Sequence, residues 1–561
     1  MSKQSERLLV QLGEIRTEII EEADEPVPGR AKKRPVWIRW AAVAAGLAIV
    51  LLAAGVFSGV IPLLRLGGNA GNAGVNPSGD GPTTFMSYAG PVFPLTLREE
   101  NDSITAERDV TLDFLPWTPE WWTKEGMTAA DYSGMPAEYQ ALLEDYDRWF
   151  PNGGYYRTLT DILVTDSYTL TNTAGEAQTV SVLYPFSGSL YNLQQALPVL
   201  FADGSQLDTA LHAGVNPGGN AEFLGNGLAG GPEPGGARLS YPNSWEDYRD
   251  ALADGRYLRN ALGNLPDLSG VSVAVYEFTD PWGEEQDDEA GRPNPTIRAE
   301  FDMDVDRTVI LSYGFHGGSY NWDTGHMKRV YSIPQSWETR YGEPCYLIAV
   351  GEDLSNLTTR GYATGGSETT DTIEAGVTVR RYETDLETIL RTTAQAIYQD
   401  WQANDSETQT RLDAVGFEMY FNMLKGWLLS DGPLSGGGAG RSHTGSLEDN
   451  GVLFTDRVFY LEAEVTVPAG GSVTLSAVMC KNGSYDEYCA HTKNQGIYGY
   501  DLATRLGSNL TCTGQRAAIE DRGLIEIVRQ NFGFDLQNGV KTVDLDPARE
   551  HYYLEVRGSK K

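Results

Sequence analysis

The sequence predicts one transmembrane helix followed by a β-rich α+β ectodomain, in which antiparallel β-sandwich units carry inserted helices. Three observations lead there. Residues Trp40 to Leu64 hold no charge and follow a basic cluster of Arg30, Lys32, Lys33, Arg34 and Arg39. A Gly- and Asn-rich tract comes next, and beyond it long stretches alternate apolar and polar residues with the period of strands.

The apolar stretch sets the topology. About 20 apolar residues in a helix cross the hydrocarbon core, and Ala41 to Ile61 is long enough. Flanking Lys and Arg are retained in the cytosol, so residues 1–39 are expected inside and the chain beyond about residue 65 outside. Trp37 and Trp40 stand where interfacial aromatics belong. A cleaved secretory signal has a short basic start and an apolar run of roughly 7–15 residues, whereas 39 residues precede this one. The expected organisation is a cytosolic helix and basic linker at 1–39, a transmembrane helix at 40–64 and a flexible tether at 65–84. Two ectodomain units follow: a β-sandwich-like one at 85–235, and an α+β one at 236–561 with a C-terminal β-hairpin.

In the cytosolic piece a helix is expected from Ser5 to Ala23. Leu8, Leu12, Ile15 and Ile19 step by four, three and four, the spacing of a coiled-coil seam. Nothing else in the 39 residues can cover that stripe, so these four residues are the expected partner-binding set; the alternative is a helix lying on the inner leaflet. Pro26 and Pro28 end the helix. The tether, from Gly67 to Pro82, has almost no side chains to bury and reads as flexible coil.

Charge divides unevenly across the bilayer. The whole chain carries 43 Lys and Arg against 77 Asp and Glu, while residues 1–39 hold eight against seven. The acidity therefore belongs to the ectodomain, and an acidic exterior repels phosphate backbones, which argues against nucleic acid as a partner. All four cysteines, Cys345, Cys480, Cys489 and Cys512, follow the apolar stretch, where disulfides persist. Cys480 and Cys489 are the pair close in sequence, joined through an Asn-Gly turn signal, and are the candidate disulfide; buried free thiols are the alternative. Cys-x-x-Cys and Cys–His zinc spacings are absent.

Strands are expected at Arg108 to Leu115, Ser272 to Phe278, Thr296 to Met303, Thr308 to Tyr313, Val377 to Tyr382 and Tyr552 to Val556. Two segments read as long antiparallel hairpins. Ile162 to Leu170 and Val180 to Phe186 flank Asn172-Thr-Ala-Gly-Glu176; Val458 to Val467 and Val473 to Met479 flank Pro468-Ala-Gly-Gly471. Long hairpins with one apolar face pack as sandwiches. Ser244-Trp-Glu-Asp247 is a capping box opening a helix to about Leu262. Thr384-Asp-Leu-Glu387 opens another, with Leu386, Ile389, Leu390 and Ile397 inward. A third is expected at Glu407 to Leu429 and a short one at Gly523 to Phe532. Gly-rich loops are expected at 213–237 and 432–446, the first marking the domain boundary.

Further segments carry a resemblance. Leu8-Leu9, Leu12-Gly13-Glu14-Ile15, Ile19-Ile20-Glu21-Glu22-Ala23, Lys32-Lys33-Arg34 and Trp37-Ile38-Arg39-Trp40-Ala41-Ala42 resemble the start of a group of single-pass membrane proteins of Gram-positive (clostridial-type) gut bacteria. Some members of that group are similar to anti-sigma factors. Val164 to Asn172 and Leu502 to Leu510 also resemble uncharacterised proteins of those organisms. The resemblance implies a relay from outside to a cytosolic regulatory protein such as a sigma factor, and it carries no catalytic residue.

Chemistry-bearing motifs are few. Asp302, Asp304 and Asp306 suggest a calcium loop, but an EF-hand needs Gly sixth and Glu twelfth, where Arg307 and Tyr313 stand. A strand burying Phe301, Met303 and Val305 is the preferred reading. His316, Asp323 and His326 lie in one Gly-rich loop with no metal-ligand spacing. Ser442-His443 lacks the strand–turn–helix frame of a Gly-x-Ser-x-Gly elbow, and Walker A and dinucleotide fingerprints are missing. Among aromatics, Trp117, Trp121 and Trp122 read as core, and Trp282 stands beside the acidic run Glu284 to Glu289. The expectation is an extracytoplasmic binding or sensing protein without catalytic activity or cofactor. Its partners are the lipid bilayer, an extracellular ligand and a cytosolic regulatory protein. The alternative is a membrane-anchored surface hydrolase using carboxylates.

Overall fold

The structure is a computed structural model that describes residues 81–118, 120–123, 154–157, 159–214, 242, 244–283, 295–321, 323–334, 341–363, 372–404, 415–430, 432–434, 446–448, 452–486 and 492–559. The span expected at 40–64 and the helix carrying Leu8, Leu12, Ile15 and Ile19 lie outside these residues. No helix among the described residues is long and apolar enough to cross a membrane.

The expected β-rich character is present, in two sandwiches. The main one opposes a seven-stranded sheet to a four-stranded sheet. The first runs in the order Thr542–Asp544, Thr511–Glu520, Ile104–Asp113, Ile162–Asn172, Ser472–Lys481, Val199–Ala202, Ser205–Gln206. The second runs Ala210–Ala213, Arg457–Val467, Gln178–Gly188, Thr96–Leu97. Strict alternation gives Ile162–Asn172 one buried face, every second residue being buried, whereas Gln178–Gly188 and Arg457–Val467 each carry a run of five consecutive buried residues. Val110, Val164, Leu170, Val182, Leu461, Val465 and Leu475 from the two sheets meet in one core.

The two expected hairpins are not hairpins. Ile162–Asn172 pairs with Ser472–Lys481, and Gln178–Gly188 pairs with Arg457–Val467. Each turn carries the chain across from one sheet to the other, so the two segments are arches stacked on one another. Their corners explain the choice. The buried Asn172 amide donates to the carbonyls of Glu176 (2.8 Å) in its own arch and of Val467 and Pro468 (both 3.2 Å) in the other. Gly470 N–H donates to Ala174 O (3.1 Å), and Asn172 N–H to Gly471 O (3.0 Å). Backbone groups that a hairpin would pair locally are satisfied here between arches. It follows that residue 235 does not divide the sheets, since strands on both sides of it pair, and that the C-terminal hairpin expected at 458–479 is an arch.

A third sheet, Pro91–Val92, Tyr498–Ala503, His551–Gly558, Ile525–Gln530, adds Tyr500, Leu502, Leu554 and Val556 to the same core. The short helix expected at 523–532 is therefore a strand. Ile525, Ile527 and Val528 are β-branched and stiff at χ1, which favours the pleat, and the segment pairs with His551–Gly558.

The second sandwich sits between the halves of the first in sequence. A four-stranded sheet, Thr308–Tyr313, Cys345–Gly351, Ser272–Gly283, Ala375–Asp385, faces a five-stranded one, Gly317–Asn321, His326–Ser332, Thr296–Asp302, Ser355–Tyr362, Thr372–Ile373. Tyr276, Phe278, Leu347 and Ala349 from the first pack on Ile297, Phe301, Met327 and Tyr331 from the second. The other face of the four-stranded sheet takes helices Leu386–Asn404 and Phe417–Ser430, so Val273, Val275 and Ile348 join Leu386, Leu390 and Leu424.

Helix starts follow local chemistry. Ser244 Oγ accepts from Asp247 N–H (3.3 Å), as the capping box requires, but the helix breaks after Leu252 and resumes at Arg256, because Gly255 turns left-handed (φ 72°). At the other helix Asp385, rather than Thr384, caps by accepting from Thr388 N–H (2.8 Å). The third helix begins at Phe417, with 405–414 outside the described residues.

Candidate functional site

One strand of the second sandwich breaks its own alternation. Along Ser272–Gly283, Tyr276 and Phe278 face the five-stranded sheet, while Glu277 and Thr279 face outward, opposite Arg380 and Thr378. Between Thr279 and Trp282 the register slips: Thr279 pairs with Thr378, and Trp282 pairs with Gly376. Three residues on one strand oppose two on the other, which is a β-bulge. Asp280 within it has φ 51°, a left-handed conformation uncommon for a non-glycine residue.

The bulge decides where the indole goes. Side chains alternate with period two, so without the extra residue Trp282 would share the side of Tyr276 and Phe278 and enter the inter-sheet core. The extra residue reverses the parity. Gly283 now faces inward, where a Cβ would lie 2.8 Å from Ile333 Cδ1, and Trp282 faces outward, 52% exposed. Gly376 makes the seat: a Cβ there would come within 2.9–3.2 Å of Nε1, Cε2 and Cζ2 of the indole. The ring rests on bare backbone with its other side in solvent.

Polar groups share that outward side. Arg380 binds Glu277 through Nε (2.7 Å) and Nη2 (2.6 Å), and Tyr346 donates to Glu277 Oε1 (3.4 Å). Burial, and then the Glu277 charge, push the Tyr346 phenol up to about 12, so it remains a neutral donor at physiological pH. Arg380 also lies over the Tyr382 ring, 4.9 Å from its centroid. Among the described residues the face offers a flat aromatic, donors and acceptors, with Glu277 and Arg380 paired.

A second polar site lies in the main sandwich. Where the segment Ser87 to Phe93 crosses the main sandwich it covers a cavity of ≈ 60 Å³ lined by Ser187, Tyr248, Asp456 and Lys481. Lys481 Nζ donates to Ser187 Oγ (2.9 Å) and to Ala89 O (2.5 Å), and Ser187 Oγ donates to Ala89 O (2.8 Å). Burial lowers Lys481 to about 8 against the opposing Asp501 and Asp456 charges, and burial raises Asp456 to about 6 against Lys481 and Arg457. A serine beside a lysine is a known acyl-transfer pairing. Here both side chains are committed to one backbone carbonyl, and the space suits a few waters, far below the roughly 300–1,000 Å³ of a ligand pocket. The pair fastens the segment.

The other expected residues are dispersed or outside the description. Asp302 takes His326 Nδ1 (2.8 Å) and Asn356 Nδ2 (2.8 Å), and Asp304 takes Arg307 Nε (2.8 Å), so the three carboxylates do not converge. Phe301 and Met303 are buried, but Val305 is only half-buried and the strand ends at Asp302, so the strand reading holds only for its first residues. His326 meets Asp302 instead of His316, and Asp323 N–H donates to Asn321 in the turn. Among the described residues no group of three or more His, Cys, Asp or Glu is placed to hold a metal. Trp117 is core, 3% exposed, with its Nε1 donating to Tyr500 OH (3.2 Å). Ser442, His443, Cys489 (and with it the Cys480–Cys489 pairing) and the side chains of Trp121 and Trp122 lie outside the described residues. Sequence reading ended the strand at Phe278; the signal for the bulge was Asp280-Pro281, a proline where a ladder strand cannot donate. Compared with family models, curated proteins and solved structures, the chain matches none.

Proposed function

We propose that this chain is a single-pass, membrane-anchored extracytoplasmic protein that binds or senses an external ligand without catalysing a reaction on it. The relay runs through the cytosolic helix to a regulatory protein such as a sigma factor. Support for the anchor is the uncharged stretch Trp40 to Leu64 behind its basic cluster. Support for binding is one observation: Trp282, turned away from the core by a strained bulge and left half in solvent. Strained backbone persists where the surroundings over-determine it, and such strain clusters at functional sites.

Cysteine-labelling in intact cells tests the topology. Cysteine in place of Ser5 is expected to resist a membrane-impermeant thiol reagent, and cysteine in place of Ser78 to react. The opposite preference overturns the proposal, and so does a mature chain beginning near Gly55.

A further inference from the structure

We infer that the outward face around Trp282, from Gly376 to Arg380, binds a neutral oligosaccharide. The inference rests on the binding reading above and names its ligand class.

Three features of the face carry it. The indole is costly for folding alone, since it is 52% exposed and is set there by a non-glycine residue at φ 51°. The alternative parity would have turned the ring inward, where Gly283 now faces Ile333, Ile373 and Pro295, so the bulge forgoes a burial that folding alone would favour. The seat on Gly376 holds the ring flat and leaves little motion to be lost when a second flat group stacks on it. Along the strand, Thr378 and Arg380 follow on the same side as Gly376, with Thr279 and Glu277 opposite them. At about 3.4 Å per residue, Gly376 and Arg380 are roughly 14 Å apart, an extended site longer than one sugar ring.

The chemistry selects among ligands. A pyranose presents a flat C–H side to an aromatic face and hydroxyls around its edge. Hydroxyls both donate and accept, matching Thr279, Thr378 and the Glu277–Arg380 pair, whose charges neutralise each other. A cation would call for an aromatic beside an unsatisfied carboxylate, and among the described residues the carboxylate of this face, Glu277, is engaged by both Arg380 and Tyr346. An amphipathic peptide would call for a continuous apolar groove, and threonines interrupt this one.

The test uses the full chain in detergent micelles, titrated with cellohexaose, chitohexaose and mannohexaose, with calorimetry and tryptophan fluorescence as readouts. At least one oligomer is expected to bind. Trp282→Ala is expected to weaken it at least tenfold without moving the thermal midpoint, and Gly376→Val, which keeps the indole but removes its seat, is expected to weaken it as well. No binding by any of the three oligomers overturns the inference, as does binding equal in wild type and Trp282→Ala. Trp282-dependent binding of choline in place of the sugars overturns the glycan class while leaving the binding reading standing.

Discussion

The most deeply buried arginines of the two sandwiches, Arg108 in the main one and Arg329 in the second, are treated in opposite ways. In the main sandwich Arg108 is enclosed beside Asp166, with Nε to Oδ1 and Nη2 to Oδ2 both at 2.8 Å. Its remaining donors reach Ala503 O (2.6 Å) and Phe93 O (3.2 Å), and Tyr168 and Tyr184 donate to Asp166 Oδ2 (2.9 and 3.1 Å). Burial opposes the charge, yet Asp166 outweighs it and holds the guanidinium above its ordinary pKa. In the second sandwich Arg329 stands opposite Ala299 and Gly318, on the side of Met327 and Tyr331. It is 3% exposed, and neither Nε nor Nη2 finds a hydrogen-bond partner. Burial pulls it down to about 10. The network around Arg108 is fully satisfied; Arg329 is left unmet, in the same unit as the strained bulge and the exposed indole. The unit that carries Arg329, the bulge at Asp280 and the exposed Trp282 is where binding is proposed.

The largest effect expected from this contrast is at Asp166. Asp166→Ala leaves Arg108 charged, buried and without its carboxylate, and breaking such a pair costs on the order of 3–5 kcal/mol. Urea unfolding is the measurement, and a loss under about 1 kcal/mol would mean that the network is not what holds the main sandwich. Arg329→Met is expected to do the reverse. An apolar side chain of similar length removes an unpaired charge from an apolar core and stabilises by about 1–4 kcal/mol, the range seen when buried charges are replaced by packed hydrophobics. A destabilised variant would show that Arg329 has a partner in solution and that the contrast fails.

A smaller effect is expected from Asp456 beneath the Ser87 to Phe93 segment. Its folded pKa, raised from 3.8 to about 6, means that the folded state takes up this proton before the unfolded state does as pH falls. The charged carboxylate therefore costs stability above about pH 6, and the cost fades between about 6 and 3.8. Wild type is expected to gain on Asp456→Asn as pH drops from 7 to 4, read as the difference between their thermal midpoints. A constant difference, or one of opposite slope, would show that burial does not govern Asp456.

Much of the local structure was legible in the sequence. The strand Thr308–Tyr313, the burial of Leu386, Ile389, Leu390 and Ile397, and the Ser244 cap follow from a short β-branched apolar run, helical spacing and side-chain capping. Pairing was not, because alternation fixes which face of a strand is buried and says nothing about its neighbour. Ile162–Asn172 and Gln178–Gly188 would look alike as a hairpin or as an arch; Asn172 and the distant Pro468 corner decide between them. Gly523 to Phe532 misled because a short run of apolar and charged residues fits either period until a partner strand fixes it. At Trp282 one residue of slip reverses inside and outside, and the partner needed to detect it, Gly376, lies 94 positions along the chain.

The central claim is that the face bearing Trp282 lies outside the cell and receives a ligand there. Thr279 is on that face, opposite Thr378, and stands where an added thiol reports both properties. The most direct measurement is the rate at which a Thr279→Cys variant in intact cells reacts with an impermeant maleimide, against the parent chain as background, with and without the oligosaccharide that binds. The account predicts labelling of intact cells that slows when the sugar is present. Labelling only after lysis, or a rate indifferent to sugar, would contradict it.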